Sequence, residues 1–445
     1  MRYYKKITVL AALAVAAVGQ MFAQNQSSPY SRYGYGLFSD YATSAQRNMG
    51  GVGEQILLRS SSRIVGVAMA DGRQINVMNP ASYAATDSLT LHWDIGLDLT
   101  QLKSSEEGNS GKAFGGGLNY LTLQFPITKY MGASIGLVPY TTVGYSFGNN
   151  LKDNDGTVQT SQSTSVSGYG GIDELYVGLG ARPVRGLTLG ANFSYQFGTI
   201  VNDQYVISST STLYEQKIQV RDWNVLLGLQ YTQRLAPKHQ LTFGFTYSPK
   251  KDFHGRTWGV KYDMSGDVSS TSGAAKPDTI ANERLQTMSY SKPNAYAFGL
   301  NYNFDQRLSA EVDFSMQQWS KATFPGLTNE DGNVMYQTRL DDRWRIAAGV
   351  QYVPRMRGSY LQRVAYRLGG SYTRDYLMIG DNHLKEFGVS CGFGFPTVAQ
   401  KTVINLGFEY KRRKAYPASL VTENYFNITL GINFKEFAFW KEKIR

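Results

Sequence analysis

The side chains best suited to acid–base chemistry are four histidines, His92, His239, His254 and His383, spread over different strands and loops of the sequence. His92 has Asp94 two residues on. That spacing puts both on one face of a β-strand. An Asp–His pair serves a hydrolase only beside a nucleophile, and no serine, threonine or cysteine stands out as one. No metal-ligand spacing, phosphate loop or cofactor motif is present, and Gly115-Gly116-Gly117 begins a strand. The residues therefore predict no catalysis, no cofactor and no metal.

Charges at strand spacing form the second group. Glu311 and Asp313, Arg343 and Arg345, and Arg363 and Arg367 each share one face of a predicted strand, as do Glu386 and Glu409 with the polar residues around them. Such pairs line a polar path, anchor a ligand, or form an ion network that fills a barrel and holds down another segment. Lys411-Arg412-Arg413-Lys414 is the densest basic run. It reads as a solvated strand end or as a contact for lipopolysaccharide phosphates.

The elements that position these residues announce themselves at Leu89–Leu99. Leu89, Leu91, Trp93, Ile95, Leu97 and Leu99 alternate with Thr90, His92, Asp94, Gly96 and Asp98. One apolar and one polar face, on a long strand with ionisable groups on the polar side, is the pattern of an outer-membrane strand. It repeats to the end of the chain. The predicted strands are 88–101, 114–127, 132–147, 171–184, 187–201, 216–234, 239–252, 286–304, 308–320, 340–354, 360–378, 383–396, 401–414 and 423–435. Short connectors (128–131, 185–186, 236–238, 305–307, 355–358, 397–400) alternate with longer ones such as 148–170, 253–285 and 321–339. The fold class predicted is all-β: a 14-stranded antiparallel transmembrane barrel over residues 88–435, with short periplasmic turns and long outer loops. An even strand count places both chain ends on the periplasmic side of a Gram-negative outer membrane.

The flanking segments read differently. Arg2, Lys5 and Lys6 precede an apolar run from Ile7 to Gly19, the pattern of a signal peptide over residues 1–23. Residues 24–87 alternate poorly and are rich in Ser, Gly, Asn and Tyr, so they read as a segment of turns and short helices and not as barrel wall. Residues 436–445 form a tail under the barrel. The lone cysteine, Cys391, falls on an apolar strand face and excludes a disulfide framework. The formal charge of +11 suits outer-membrane lipid and lipopolysaccharide rather than nucleic acid. The wall has too few strands and the plug is too short for a TonB-dependent receptor.

Gln46-Arg47-Asn48-Met49-Gly50-Gly51-Val52-Gly53, Asn79-Pro80-Ala81-Ser82, and the series Lys292-Pro293, Gly299, Asp313, Trp319-Ser320 resemble, in that order, the hatch start, pre-barrel element and hairpin of the FadL-type (FadL/TodX-like) outer-membrane transporters. Ser28-Pro29-Tyr30-Ser31-Arg32-Tyr33-Gly34 is similar to the mature start of a Bacteroidota branch. The resemblance implies a hatch containing Asn79, Pro80 and Ala81, and an inward kink of the third strand that opens a side window. Pro139 supplies a physical cause at that place, because proline gives no N–H to a ladder; Gly136 and Gly144 give room to bend, with Tyr140 beside the break. Two functions follow. In one, a fatty-acid-like ligand enters a hatch-closed lumen, meets Arg363 or Arg367, and leaves sideways into lipid. In the other, the barrel is a structural subunit of a larger outer-membrane machine, for barrel assembly or type 9 secretion, and binds other outer-membrane proteins through its polar loops. The luminal charges favour the second, since a fatty-acid path should be greasier. The strand Leu89–Leu99 adjoins the hatch element, so His92, Asp94 and Asp98 are expected to touch the plug.

Overall fold

Alternation with period two decides the wall. On Thr90–Glu106 the residues His92, Asp94, Asp98 and Thr100 are buried, whereas Leu97 and Leu99 face outward. A computed structural model of the chain describes residues 28–52, 74–87, 89–106, 108–152, 158–207, 212–263, 276–284, 290–324, 327–328, 334–336, 338–355, 358–397 and 402–437. The segments read from the sequence as signal peptide (1–23) and, but for its first two residues, C-terminal tail (436–445) lie outside the described residues.

Fourteen wall strands run antiparallel: β1 (Thr90–Glu106), β2 (Asn109–Thr128), β3 (Met131–Lys152), β4 (Val158–Val184), β5 (Leu187–Ile207), β6 (Thr212–Ala236), β7 (His239–Ser248), β8 (Ala295–Phe304), β9 (Leu308–Gln317), β10 (Arg343–Tyr352), β11 (Ala365–Ile379), β12 (Asn382–Pro396), β13 (Thr402–Tyr416) and β14 (Thr422–Phe437). β14 pairs back onto β1 from Phe437↔Thr90 to Thr422↔Ser105, closing the barrel. Closure pairs the first wall strand with the last, as a strand structure in lipid requires. The sheet holds eighteen segments in all; the other four are Leu37–Phe38, Gly255–Asp263, Lys276–Arg284 and Arg339–Leu340. No described helix is long and apolar enough to cross a membrane.

Three expectations need correction. First, much of the predicted outer loops is strand. β3 and β4 continue as a ladder to Lys152↔Val158, and Gly255–Asp263 pairs with both Lys276–Arg284 and β6. The β3–β4 extension is rich in Ser, Thr, Asn and Gly, and in Gly255–Asp263 the apolar alternation is confined to Trp258, Val260 and Tyr262, so neither carries the long amphipathic signal of the wall. Second, Arg363 is not on a luminal strand. Tyr360–Arg363 is a short helix closed by a Ser359/Gln362 capping box, and Arg363 lies 5.8 Å from the Tyr360 ring. Third, the ends of the wall meet on the short-turn side, but Ser28, the first described residue, sits at the long-loop end. Its hydroxyl donates to Glu423 at 2.6 Å, and the Tyr30 hydroxyl donates to the Val421 carbonyl. Residues 28–52 and 74–87 lie inside the wall, and Lys435 pairs Asp87 at 2.6 Å beside the short-turn end.

Candidate functional site

The N-terminal residues meet the inner wall in three tiers. At the long-loop end, Tyr35 packs edge-on against Phe253 (5.1 Å) and Phe324 (4.9 Å). Phe38 packs on Tyr376 at 4.8 Å, and Trp319 on Tyr376 at 4.8 Å. Tyr35, Tyr376 and Trp319 are fully buried. The Trp319-Ser320 motif thus closes an aromatic stopper at the mouth.

Below it lies an ionic tier. Asp40 sits 3.1 Å from Lys411 and 3.8 Å from Arg345. Lys411 reaches Glu409 at 3.2 Å, and Arg413 bridges Glu386 (2.5 Å) and Glu423 (3.4 Å). A cavity of about 60 Å³ remains among Asp40, Arg47, Arg343, Glu386, Lys411 and Arg413. Burial pushes the Asp40 carboxyl up, but Lys411, Arg345, Arg343 and Arg47 outweigh it and hold the carboxyl well below the usual carboxylate range. The basic run Lys411–Lys414 thus splits by strand alternation. Lys411 and Arg413 turn inward, and Arg412 and Lys414 turn out.

The third tier is a short helix, Ser44–Arg47, started by a Thr43/Gln46 capping box. Arg47 pairs with Asp98 at 3.4 Å. The Tyr120 hydroxyl accepts from the Ser44 N–H (2.8 Å) and donates to Asp94 (2.8 Å), which Asn433 also binds at 3.0 Å. Asp98 therefore meets the N-terminal residues directly and Asp94 through the Tyr120 hydroxyl, while His92 bonds Thr90 at 3.0 Å. Arg345 donates to the Gly51 carbonyl at 3.1 Å. Met49 and Gly50 lie flat on the wall, where a Cβ on Gly349 or Gly369 would come within 2.2 Å of Met49 backbone. Gln46 donates to Asn76 at 3.0 Å, joining this tier to the Asn79 turn. There Asn79 caps Ala81 N–H at 3.1 Å and donates to the Leu229 carbonyl at 3.3 Å, and Pro80 packs against Gly190 and Gly228.

The remaining candidate charges are occupied. Arg367 donates to Gln351 and Asn405, both at 2.7 Å. Glu311 accepts from Asn301 at 3.0 Å. Asp313 is buried inward, and Arg343 lies 3.8 Å from Asp375. The sequence pattern did not single out Asp40 or Glu423; Asp40 sits in a segment with no periodicity, and its partner lies 371 residues away.

The wall breaks at Pro139. The β2–β3 ladder ends at Leu121↔Leu137, and the β3–β4 register shifts between Pro139 and Thr141. Above the break, β3 takes partners from the N-terminal residues. Leu37 and Phe38 pair with Thr142 and Thr141. Ser28 N–H donates to Gly144 at 2.6 Å, and Ser39 N–H to Tyr140 at 3.0 Å. Gly36 makes this approach possible: its φ is +85°, and a Cβ would lie 2.5 Å from the Thr142 carbonyl.

The sequence model of the BamG family matches residues 3–445. No curated protein matches the chain. Solved structures match throughout: a Pseudomonas aeruginosa FadL homologue (TM-score 0.60, 13% identity, covering 89% of this chain and 99% of that one), the Pseudomonas putida toluene transporter TodX (0.57, 17%, 92% and 100%), and the CymD monoaromatic hydrocarbon channel (0.56, 14%, 89% and 97%). These likenesses show a FadL-type outer-membrane β-barrel fold.

Proposed function

The chain belongs to the BamG family, and from that premise we propose that it is a structural subunit of an outer-membrane machine, with its lumen held shut by its own N-terminal residues. The carrying observation is the ionic tier that joins Asp40 to β10 and β13 through Arg345 and Lys411. Withdrawing the N-terminal residues would strand buried charges, at about 3–5 kcal/mol for each pair broken. A ligand present at a hundred times its Kd supplies about 2.7 kcal/mol, too little to drive that opening. A luminal surface of paired charges also suits an apolar solute poorly. On this reading the partners are other outer-membrane proteins, and residues 24–87 are a permanent plug rather than a hatch. BamG membership is compatible with it.

A second reading has its own support. The ladder break at Gly136–Gly144 and the fold shared with hydrocarbon channels favour uptake of a hydrophobic compound that leaves sideways near Pro139 and Tyr140. Apolar solute gains by entering lipid directly.

Two measurements separate them. Purification from native membranes in mild detergent should recover the barrel in a stoichiometric complex; recovery only as an isolated barrel counts against the subunit. Uptake of labelled fatty acid, alkane and toluene should be unchanged in a deletion strain; a loss for any class would establish transport instead.

A further inference from the structure

The outer wall carries a basic patch that neither reading uses. Lys112 on β2 stands directly across from Lys103 on β1. Lys103 faces Asn424 on β14, and Asn424 faces Arg412 on β13. One outward step higher, Lys414 on β13 stands directly across from Lys385 on β12. Lys103, Lys112, Arg412 and Lys414 are exposed, and Lys385 is half-buried with its ammonium 3.9 Å over the exposed Tyr416 ring. Five strands at about 4.8 Å spacing make the patch about 20 Å wide. None of the five cations has an acidic partner among the described residues. Of the acids on these strands, Asp94, Asp98, Glu386, Glu409 and Glu423 turn into the lumen, and Glu106, exposed at the end of β1, makes no ion pair with the five among the described residues. The next cation along, Arg374, is paired with Asp341, so the patch ends there.

Two features point to an anionic ligand. Like charges placed directly opposite on neighbouring strands repel, and here that happens twice, at Lys103/Lys112 and at Lys385/Lys414. An anion between the members of each pair turns the repulsion into charge-assisted hydrogen bonds. Immediately below the cations the outward side chains become apolar: Phe114, Leu99, Phe426, Tyr410 and Phe387 are all exposed. A row of cations at the long-loop rim above an apolar wall matches an amphiphile with phosphates over acyl chains.

We propose that this face binds a phosphorylated outer-leaflet glycolipid of the lipid A type. Lys103 and Lys112 hold one phosphate, Lys385, Lys414 and Arg412 hold another, and the acyl chains lie on Phe114, Leu99 and Phe387. The site goes beyond the subunit reading and does not depend on it, since no luminal residue takes part.

The test is native mass spectrometry of the full-length protein in neutral detergent, titrated with bisphosphorylated lipid A, the same lipid stripped of phosphate, and inorganic phosphate. The five-fold variant K103Q/K112Q/K385Q/R412Q/K414Q is expected to bind lipid A at least ten-fold more weakly, and each of K103Q/K112Q and K385Q/K414Q a few-fold more weakly. Wild-type affinity should fall as salt rises, and the stripped lipid should bind at least ten-fold more weakly than lipid A. Heat-modifiable gel migration checks that each variant is folded; where the five-fold variant is not, the two pair variants decide. Equal binding by variants and wild type, or by stripped and phosphorylated lipid, overturns the proposal. Inorganic phosphate that competes as strongly as lipid A overturns the lipid assignment.

Discussion

Asp40, on the N-terminal residues inside the barrel, lies 3.1 Å from Lys411 on β13, a residue 371 positions later in the chain. Lys411 also reaches Glu409 at 3.2 Å. Both acids need that ammonium, so its loss should be felt at two places. Lys411→Met is expected to destabilise seating of the N-terminal residues by about 3–5 kcal/mol, the usual result of orphaning a buried charge. Limited proteolysis of folded barrels reads this as faster cleavage within residues 28–52. Adding Asp40→Asn should recover part of the loss, a coupling that a double-mutant cycle measures. Additive losses would mean that the pair is not coupled.

The same contact sets a pH dependence. Asp40 has a folded pKa well below its ordinary value, against about 3.9 in the unfolded chain. A depressed carboxylate contributes stability that is present above the unfolded value and lost as pH falls through the folded one. The stability difference between wild type and Asp40→Asn should therefore stay constant from pH 8 to about 5 and shrink below about 4. Thermal midpoints of the two proteins across that range check it, and a gap that closes near neutrality would contradict the assignment.

Arg363 and Arg367 looked equivalent by spacing and are not. Arg367→Ala should cost about 2–4 kcal/mol, since it removes charged hydrogen bonds to Gln351 and Asn405. Arg363→Ala should cost less, about 0.5–1 kcal/mol, since the half-buried guanidinium lies 5.8 Å from the Tyr360 ring. Urea unfolding in detergent compares them. Comparable losses would return Arg363 to the lumen. The signal that distinguishes the two was present: Ser359 and Gln362 form the capping box of a helix, and a helix cannot hold strand phase.

Gly36→Val should free the short inner strand. Valine at φ +85° is strained, and its Cβ would strike the Thr142 carbonyl. Hydrogen exchange of the amides of Leu37 and Ser39 should quicken, with wall amides such as those of β13 unchanged. Unchanged exchange at both would show that the pairing with Thr141 and Thr142 does not depend on this turn.

Legibility followed physical cause. Where one face met lipid and the other the lumen, as at Asp94, Leu97, Asp98 and Leu99, alternation in the sequence told the placement directly. Where apolar alternation is short and the composition polar, as at Gly255–Asp263 and Lys276–Arg284, strand residues read as loop. In Lys411–Lys414 the uniform charge hid a true alternation, and only the register separated the inward tether from the outward cations. The course of residues 28–52 had no local signature, because their partners lie hundreds of positions away. Pro139 was the exception: one residue's missing N–H marked the place where two ladders change.

The hydrogen bond from Ser28 to Glu423 has a consequence for biogenesis. The first described residue is held by the last wall strand, and Leu37–Phe38 occupies an edge of β3 from within. Plugging is therefore part of finishing the wall: above Pro139, β3 gains its second strand partner only once the N-terminal residues are seated.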